Sequence, residues 1–203
     1  DFFYNRLIFP ITNEFGKIVG FGGRVLDNSN PKYINSPESD FFKKRNILYN
    51  LFNAKHTIRS KKNMLICEGY MDVISLYDKN IKTAVAPLGT SLTDSHLLLS
   101  WKYVNKPTLM FDGDTSGLKA SFKSAIMSLP YLTPSKLLQF VILPNEYDPD
   151  TYINEYSLSK FATYLKNPLS IVDFIFQESS KSIDLQKSDN KVIFDNYIAV
   201  SYT

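Results

Sequence analysis

From residue 63 onward, short apolar β-prone runs alternate with stretches patterned as helices, and this alternation constrains the fold more than any other feature of the chain. Met64-Leu65-Ile66-Cys67, Thr83-Ala84-Val85-Ala86, Thr108-Leu109-Met110-Phe111 and Gln139-Phe140-Val141-Ile142-Leu143 read as strands. Residues 71–79, 93–101 and about 116–129 read as the helices between and after them. Near-continuous apolar strands suit a sheet covered on both faces. Strand–helix–strand units at this spacing imply a mainly parallel sheet with right-handed crossovers. The expectation is an α/β fold, with a four-stranded parallel sheet over residues 63–150.

The flanks differ from this middle. Residues 6–11 and 17–26 are β-prone runs separated by the turn residues Thr12–Gly16, which predicts a hairpin. Residues 27–40, rich in Asn, Ser, Asp and Pro, read as an irregular loop, and 46–58 carry a helical stripe. Residues 151–203 look helical, with Leu158, Phe161, Leu165, Ile171, Phe174 and Ile175 as apolar positions. Three segments follow: a basic β-containing one over 1–62, an α/β domain over 63–150, and a helical tail over 151–203. Gly20, Gly22 and Gly23 do not fit a dinucleotide-binding glycine pattern and are read as permitting close backbone approach.

Charge divides along the same lines. Residues 1–62 carry +6, residues 63–150 carry −2 and residues 151–203 carry −1. A basic segment beside an acidic one suits a protein that handles polyanions next to bound cations; the plainer reading is a solvated lysine-rich surface. One cysteine, Cys67, and two histidines, His56 and His96, exclude a disulfide framework and leave no zinc site within the chain. Both histidines read as structural. No run approaches the roughly 18 apolar residues of a membrane span, and no signal-peptide pattern opens the chain. The sequence reads as an internal fragment of a longer cytoplasmic protein, with no membrane partner.

In an open parallel sheet, ligands bind beyond the carboxyl ends of the strands. Six acids fall there. Glu68 follows the first strand, with Asp72 four residues on; Asp112 and Asp114 straddle a glycine after the third; Asp148 and Asp150 straddle a proline a few residues after the fourth. Each acid alone has an ordinary explanation. Asp114 or Asp150 can cap a helix, and Asp72 suits a first helical turn. Together, six carboxylates on three sheet-edge loops repel one another unless cations offset the charge. The Gly89-Thr90-Ser91 turn after the second strand can present backbone N–H groups to a phosphate. Tyr33, Tyr49 and Tyr70 are read as core or surface residues ahead of base-stacking platforms.

At these residues the chain resembles the RNA polymerase core of bacterial DnaG-type primases. Glu68-Gly69-Tyr70-Met71-Asp72-Val73, Leu88-Gly89-Thr90, Asp112-Gly113-Asp114 with Gly117, and Asp148-Pro149-Asp150 are similar to the topoisomerase–primase (TOPRIM) motifs, in order. Upstream, Phe9-Pro10-Ile11, Gly20–Arg24, Pro31–Glu38 and Phe42-x-Lys44-x-x-x-Leu48-Tyr49 narrow the likeness to primases. The resemblance implies a TOPRIM fold and a nucleotidyltransferase that makes short RNA primers from ribonucleoside triphosphates on single-stranded DNA. It implies catalytic roles for Glu68, Asp72, Asp112 and Asp114, and Mg²⁺ or Mn²⁺ held by Glu68, Asp112, Asp114, Asp148 and Asp150. It also implies a nucleotide- and template-binding groove at Arg24, Lys32, Asn35 and Lys44. Zinc, and contact with the replicative helicase, belong in the family to domains outside this stretch. Two alternatives remain at this stage: another TOPRIM enzyme, such as a topoisomerase or a phage or organellar helicase–primase, and a fragment that grips single-stranded DNA without catalysis.

Overall fold

The computed structural model describes residues 2–182, apart from Asn28 and Thr90. Two sheets carry the chain. The first is antiparallel, ordered β1 (Arg6–Thr12), β2 (Ile18–Val25), β3 (Tyr33–Asn35). β1 and β2 form the expected hairpin, with a register shift between Ile11 and Thr12. Within the predicted 27–40 loop, β3 adds a third strand, with Tyr33 opposite Arg24 and Asn35 opposite Gly22. A three-residue strand flanked by prolines and polar residues has no periodicity to reveal it, and pairing with β2 decides it.

Helix α1 (Leu51–Lys61) leads into the second sheet, whose order is β5-β4-β6-β7-β8. Its strands are β4 (Leu65–Ile66), β5 (Ala84–Val85), β6 (Thr108–Leu109), β7 (Gln139–Phe140) and β8 (Leu169–Ser170). The first four pair in parallel, as the alternation predicts. β8 is an addition from the predicted helical tail, antiparallel to β7, with Leu169 opposite Phe140. Pro168 cannot continue the preceding helix, and the extended residues after it cover an edge that β7 would otherwise expose. Residues 183–203 of the predicted tail lie outside the described residues.

Six more helices complete the order: α2 (Tyr70–Asp78), α3 (Asp94–Ser100), α4 (Thr115–Ser128), α5 (Pro149–Glu155), α6 (Leu158–Lys166) and α7 (Ile171–Ser182). The period of two along each strand sorts them into layers. Ile66, Val85, Leu109 and Phe140 face one core with α1, α3, α4 and α7 residues such as Ile58, Leu97, Ala125 and Phe174. Their neighbours Leu65, Ala84, Met110 and Val141 face the other core, with Val73 and Leu76 of α2, Tyr152 of α5 and Phe161 of α6. Phe140 and Phe174 stack in parallel, with centroids 4.1 Å apart. Among the described residues no helix is long and apolar enough to cross a membrane.

A smaller core joins the two sheets: Ile11, Phe42, Ile47 and Leu88, with Val19 and Tyr49 against it. Gly20 lies so close to Phe42 that a Cβ there would meet the ring at 3.2 Å. That close approach explains the glycine in β2, as the sequence reading expected. It seats the basic sheet beside the carboxyl end of the parallel sheet. β4 lies between β5 and β6, and the connections from β4 and β6 leave toward opposite faces through α2 and α4. The cleft beyond the ends of β4 and β6 is therefore the switch point of the sheet.

Candidate active site

Each acid loop is built by the turn from a strand into a helix. Beyond β4, Gly69 is the N-cap of α2, and the Asp72 carboxylate accepts its N–H at 3.0 Å. This single hydrogen bond holds Asp72 inward, 7 % exposed. Beyond β6, Asp112 leads into Asp114, whose Oδ1 accepts the Gly117 N–H at 2.7 Å and caps α4. Two glycines make this turn possible. A Cβ on Gly113 would lie 2.2 Å from the Pro144 carbonyl oxygen, and one on Gly117 would lie 2.2 Å from that of Asp112. Gly113 N–H donates to the Tyr147 carbonyl at 2.8 Å, tying this loop to the one after β7.

Beyond β7, Asp148 rather than Asp150 caps α5, its Oδ1 accepting the Thr151 N–H at 2.6 Å. Asp150 instead accepts from Ser75 Oγ on α2 and from Asn154 Nδ2. Sequence reasoning missed Ser75 and Thr151. The capping box is legible in retrospect from an Asp three residues before a Thr, whereas the Ser75 contact exists only because α2 packs against α5.

A cavity of about 500 Å³ collects most of the predicted site residues. Glu68, Asp72, Asp112, Asp148 and Asp150 line it from the parallel sheet, and Arg24, Lys32 and Asn35 from the basic sheet. Asp114 and Lys44 are not in the lining. Asp114 stands two residues beyond Asp112 as the α4 cap. Lys44 lies in a short 3₁₀ turn whose backbone is held from two sides. Its N–H donates to Glu38 Oε1, and its carbonyl accepts from the buried His96 Nε2 at 2.9 Å. Thr93 N–H donates to His96 Nδ1 at 3.2 Å, so the ring is a neutral tautomer with its proton on Nε2. Asn35 Nδ2 donates to the Leu88 carbonyl at 3.3 Å, anchoring the basic sheet to the loop after β5. Thr90, within the loop read as a phosphate cradle, lies outside the described residues.

The acids strain one another. Burial and then the charges of Asp112 and Asp148 push Asp72 up to about 7, against the pull of the Gly69 and Asp150 N–H groups. Asp112 is likewise raised to about 7, by burial and then by Glu68, Asp148 and Asp114. Glu68 is raised by desolvation and by Asp114, although much of its residue surface is open and the Asp112 N–H opposes the shift. Among the described residues none of the six carboxylates pairs with a lysine or arginine. Nor do any three His, Cys, Asp or Glu side chains there form a ready-made cage for an ion. An oxygen-only donor set with uncompensated negative charge fits a hard divalent cation that keeps waters and takes substrate phosphates as further ligands.

Residues 1–55 match the family described as "DNA primase catalytic core, N-terminal domain", and residues 62–135 match "Toprim domain". The chain is 41 % identical to the DNA primase of Buchnera aphidicola over 191 residues, which are 94 % of this chain and 33 % of that protein. It superimposes on a DnaG primase catalytic domain bound to single-stranded DNA with a TM-score of 0.87, at 36 % identity, over 95 % of this chain and 62 % of that one. On the Aquifex aeolicus primase zinc-binding and RNA polymerase domains the TM-score is 0.80, at 32 % identity, over 94 % and 45 %. The chain spans about a third of the length of the curated relatives it matches. With the acid loops, the basic sheet and both matched regions in one order, the chain belongs to the family of bacterial DnaG-type DNA primases.

Proposed function

We propose that this chain supplies the nucleotidyl-transfer site of a primase, which joins ribonucleoside triphosphates into short RNA primers on a single-stranded DNA template. The observation that carries the reading is one cavity with five uncompensated carboxylates on one wall and Arg24, Lys32 and Asn35 on the other. A triphosphate needs both: cationic side chains for its outer oxygens, and a divalent ion between its charge and the acids. In this reading residues 1–62 are the basic part of the polymerase core, 63–150 the TOPRIM unit and 151–203 the start of a helical part. Single-stranded template is the partner, by analogy with the solved relative in complex with it. Contact with a replicative helicase and a separate zinc-binding domain belong to the remaining length of such a protein, and the cytoplasm is its place.

We assign Glu68, Asp112 and Asp148 as the principal holders of Mg²⁺, with Mn²⁺ as its substitute. Asp114 and Asp150 position the loops while each keeps an oxygen free, and Asp72 completes the charge of the cluster. When bound, such an ion neutralises the triphosphate and lowers the pKa of the attacking hydroxyl. Arg24 and Lys32 orient the phosphates, Lys32 from the exposed end of β3. Glu68, the most open of the acids lining the cleft, accepts the proton of the primer-end hydroxyl, directly or through water, as that oxygen bonds the α-phosphorus and pyrophosphate leaves. Lys44, held outside the cavity, contacts template phosphate. The test is primer synthesis by the full-length protein on single-stranded DNA with four ribonucleoside triphosphates and Mg²⁺. No synthesis with any divalent ion would overturn the reading.

Lysine variants separate grip from chemistry. Lys44→Ala removes one template phosphate contact, so the slope of log affinity against log salt should become shallower by about 0.7 for single-stranded DNA. Lys32→Ala should raise the KM for nucleotide while leaving the template slope unchanged. Fluorescence anisotropy over a salt series reads the first, and steady-state kinetics the second. Identical behaviour of the two variants would contradict the division.

Stability should report the metal as well. Asp72 and Asp112 hold protons up to about pH 7 in the folded protein and only to about 3.8 when unfolded. The native state thus binds more protons between those limits, and metal-free stability falls as pH rises from about 4 to above 7. Mg²⁺ should offset that loss, because it binds the deprotonated folded state. In calorimetric melts without metal the midpoint is expected about 5 °C lower at pH 8 than at pH 5.5, with Mg²⁺ closing most of the gap. A midpoint unaffected by pH or by Mg²⁺ would contradict the assignment.

A further inference from the structure

Two polar atoms beside the cavity have no partner, and both are buried: Asn35 Oδ1 and the Tyr70 hydroxyl. Buried polar groups are nearly always satisfied, so such an orphan points to a missing partner. These two orphans flank the same point. A Cβ on Gly22 would lie 3.1 Å from Asn35 Oδ1 and 3.5 Å from the Tyr70 hydroxyl, so both atoms face the bare backbone of β2 at one place. Both residues line the cavity of the acid cluster, yet neither is needed to hold a cation there.

The orientation of Asn35 is set by its other end. The Leu88 carbonyl can only accept, so the amide nitrogen faces it and the amide oxygen faces Tyr70. An oxygen aimed at this point repels a phosphate, which has only acceptors. It attracts a donor. The Tyr70 phenol supplies the complement, since it can donate to a group that itself donates to Asn35. Of the polar groups on a nucleotide sugar and its phosphates, only a hydroxyl both donates and accepts. Tyr70 is 6 % exposed and is fixed by Phe9, Tyr33 and Tyr49, whose ring centroids lie 5.1, 5.3 and 5.6 Å away. Of these three, Tyr33 is the most open to solvent, lies on the edge strand β3 and meets Tyr70 edge-on, so it forms the solvent-facing side of the pair.

We propose that Asn35 Oδ1 and the Tyr70 hydroxyl form a pair that reads a sugar hydroxyl of the bound ribonucleotide, a specificity element distinct from the phosphate-handling residues. The inference rests on the reading of the cavity as a nucleotide site. A site that hydrogen-bonds a substrate hydroxyl discriminates against the analogue lacking it, because its own buried groups are then left unpaired.

The test is calorimetric binding of ATP, 2′-deoxyATP and 3′-deoxyATP to the full-length protein and to its Tyr70→Phe and Tyr49→Phe variants, with Mg²⁺ present. Wild type should bind one deoxy analogue more weakly than ATP, and which one names the hydroxyl. Tyr70→Phe should weaken ATP roughly fivefold and leave that analogue unchanged. Its melting midpoint should not fall, since the phenol it loses is unsatisfied in the free protein. Tyr49→Phe, which removes a phenol from the same aromatic cluster, should leave the selectivity as in wild type. Equal weakening of all three nucleotides by Tyr70→Phe, no change in any of them, or the same loss in Tyr49→Phe would overturn the pair. Failure of wild type to bind ATP at all would instead overturn the nucleotide-site reading beneath it.

Discussion

Replacing Asp112 with asparagine, or Glu68 with glutamine, is expected to lower primer synthesis by the full-length protein on the order of a hundred- to a thousandfold. That is the usual scale when a group that stabilises developing charge is removed. Affinity for single-stranded DNA should survive, because neither change touches the basic sheet and each removes a charge that repels phosphate. Stability should move in the opposite direction to activity. Burial and then the charges of Glu68, Asp148 and Asp114 raise Asp112 to about 7. An amide there relieves the repulsion, so Asp112→Asn should melt higher than wild type without metal at pH 8 and gain less from Mg²⁺. A variant that is more stable, binds template and makes almost no primer is the signature of a metal-holding acid. A variant that keeps synthesis but loses template binding would show that the acids shape a DNA grip instead.

The second large effect comes from a residue without a side chain. Gly113→Ala would place a Cβ 2.2 Å from the Pro144 carbonyl oxygen and 2.6 Å from that of Leu143. Both obstacles are backbone, and both belong to the loop that leads from β7 to Asp148. The strain cannot be relieved by turning a rotamer; the β6 and β7 loops must part. The expected cost is about 3 kcal/mol, at the upper end of overpacking penalties, and a fall in melting midpoint of about 10 °C. Because the same loops carry Asp112 and Asp148, stabilisation by Mg²⁺ should weaken too. Gly69→Ala is the control. It sits at an ordinary extended φ of −126°, and its Cβ would meet only Asp72 Oδ2, at 3.4 Å. It should cost under about 1 kcal/mol, as a modest N-cap change does. Equal melting midpoints for the two variants would mean that the loops are not held as close as the structure has them.

Much of the molecule was legible beforehand because its signals are local. Apolar runs such as Met64–Cys67 and Thr108–Phe111 announce strands covered on both faces, and the period of two within each decides which core a residue enters. The order of acids after strands places Glu68, Asp112 and Asp148 at one end of a parallel sheet, since every parallel strand presents its carboxyl end on the same side. β3 and β8 were not legible. They are two or three residues long, and they are strands only because Gly22 and Phe140 lie beside them with ladder groups to satisfy.

The division of labour among the acids was equally hidden. In sequence Asp148 and Asp150 are both candidates for a cation, and Asp150 is the one read as a helix cap. Packing of α2 against α5 brings Ser75 to Asp150, while Asp148 caps the helix through the local capping box with Thr151. Lys44 sits in a stretch similar to the primase pattern, yet the clamp of Glu38 and His96 on its backbone keeps it out of the cavity that Lys32 enters. Thus residue order alone determined the α/β alternation, the end of the sheet that carries charge and the kinds of ligand that charge suits. The seating of the basic sheet through Gly20, Phe42 and Asn35, and with it which cations face which acids, was decided only by tertiary structure. Those contacts join residues as many as 53 positions apart, and hydrogen-bond geometry and steric clearance between distant segments leave no trace in local periodicity.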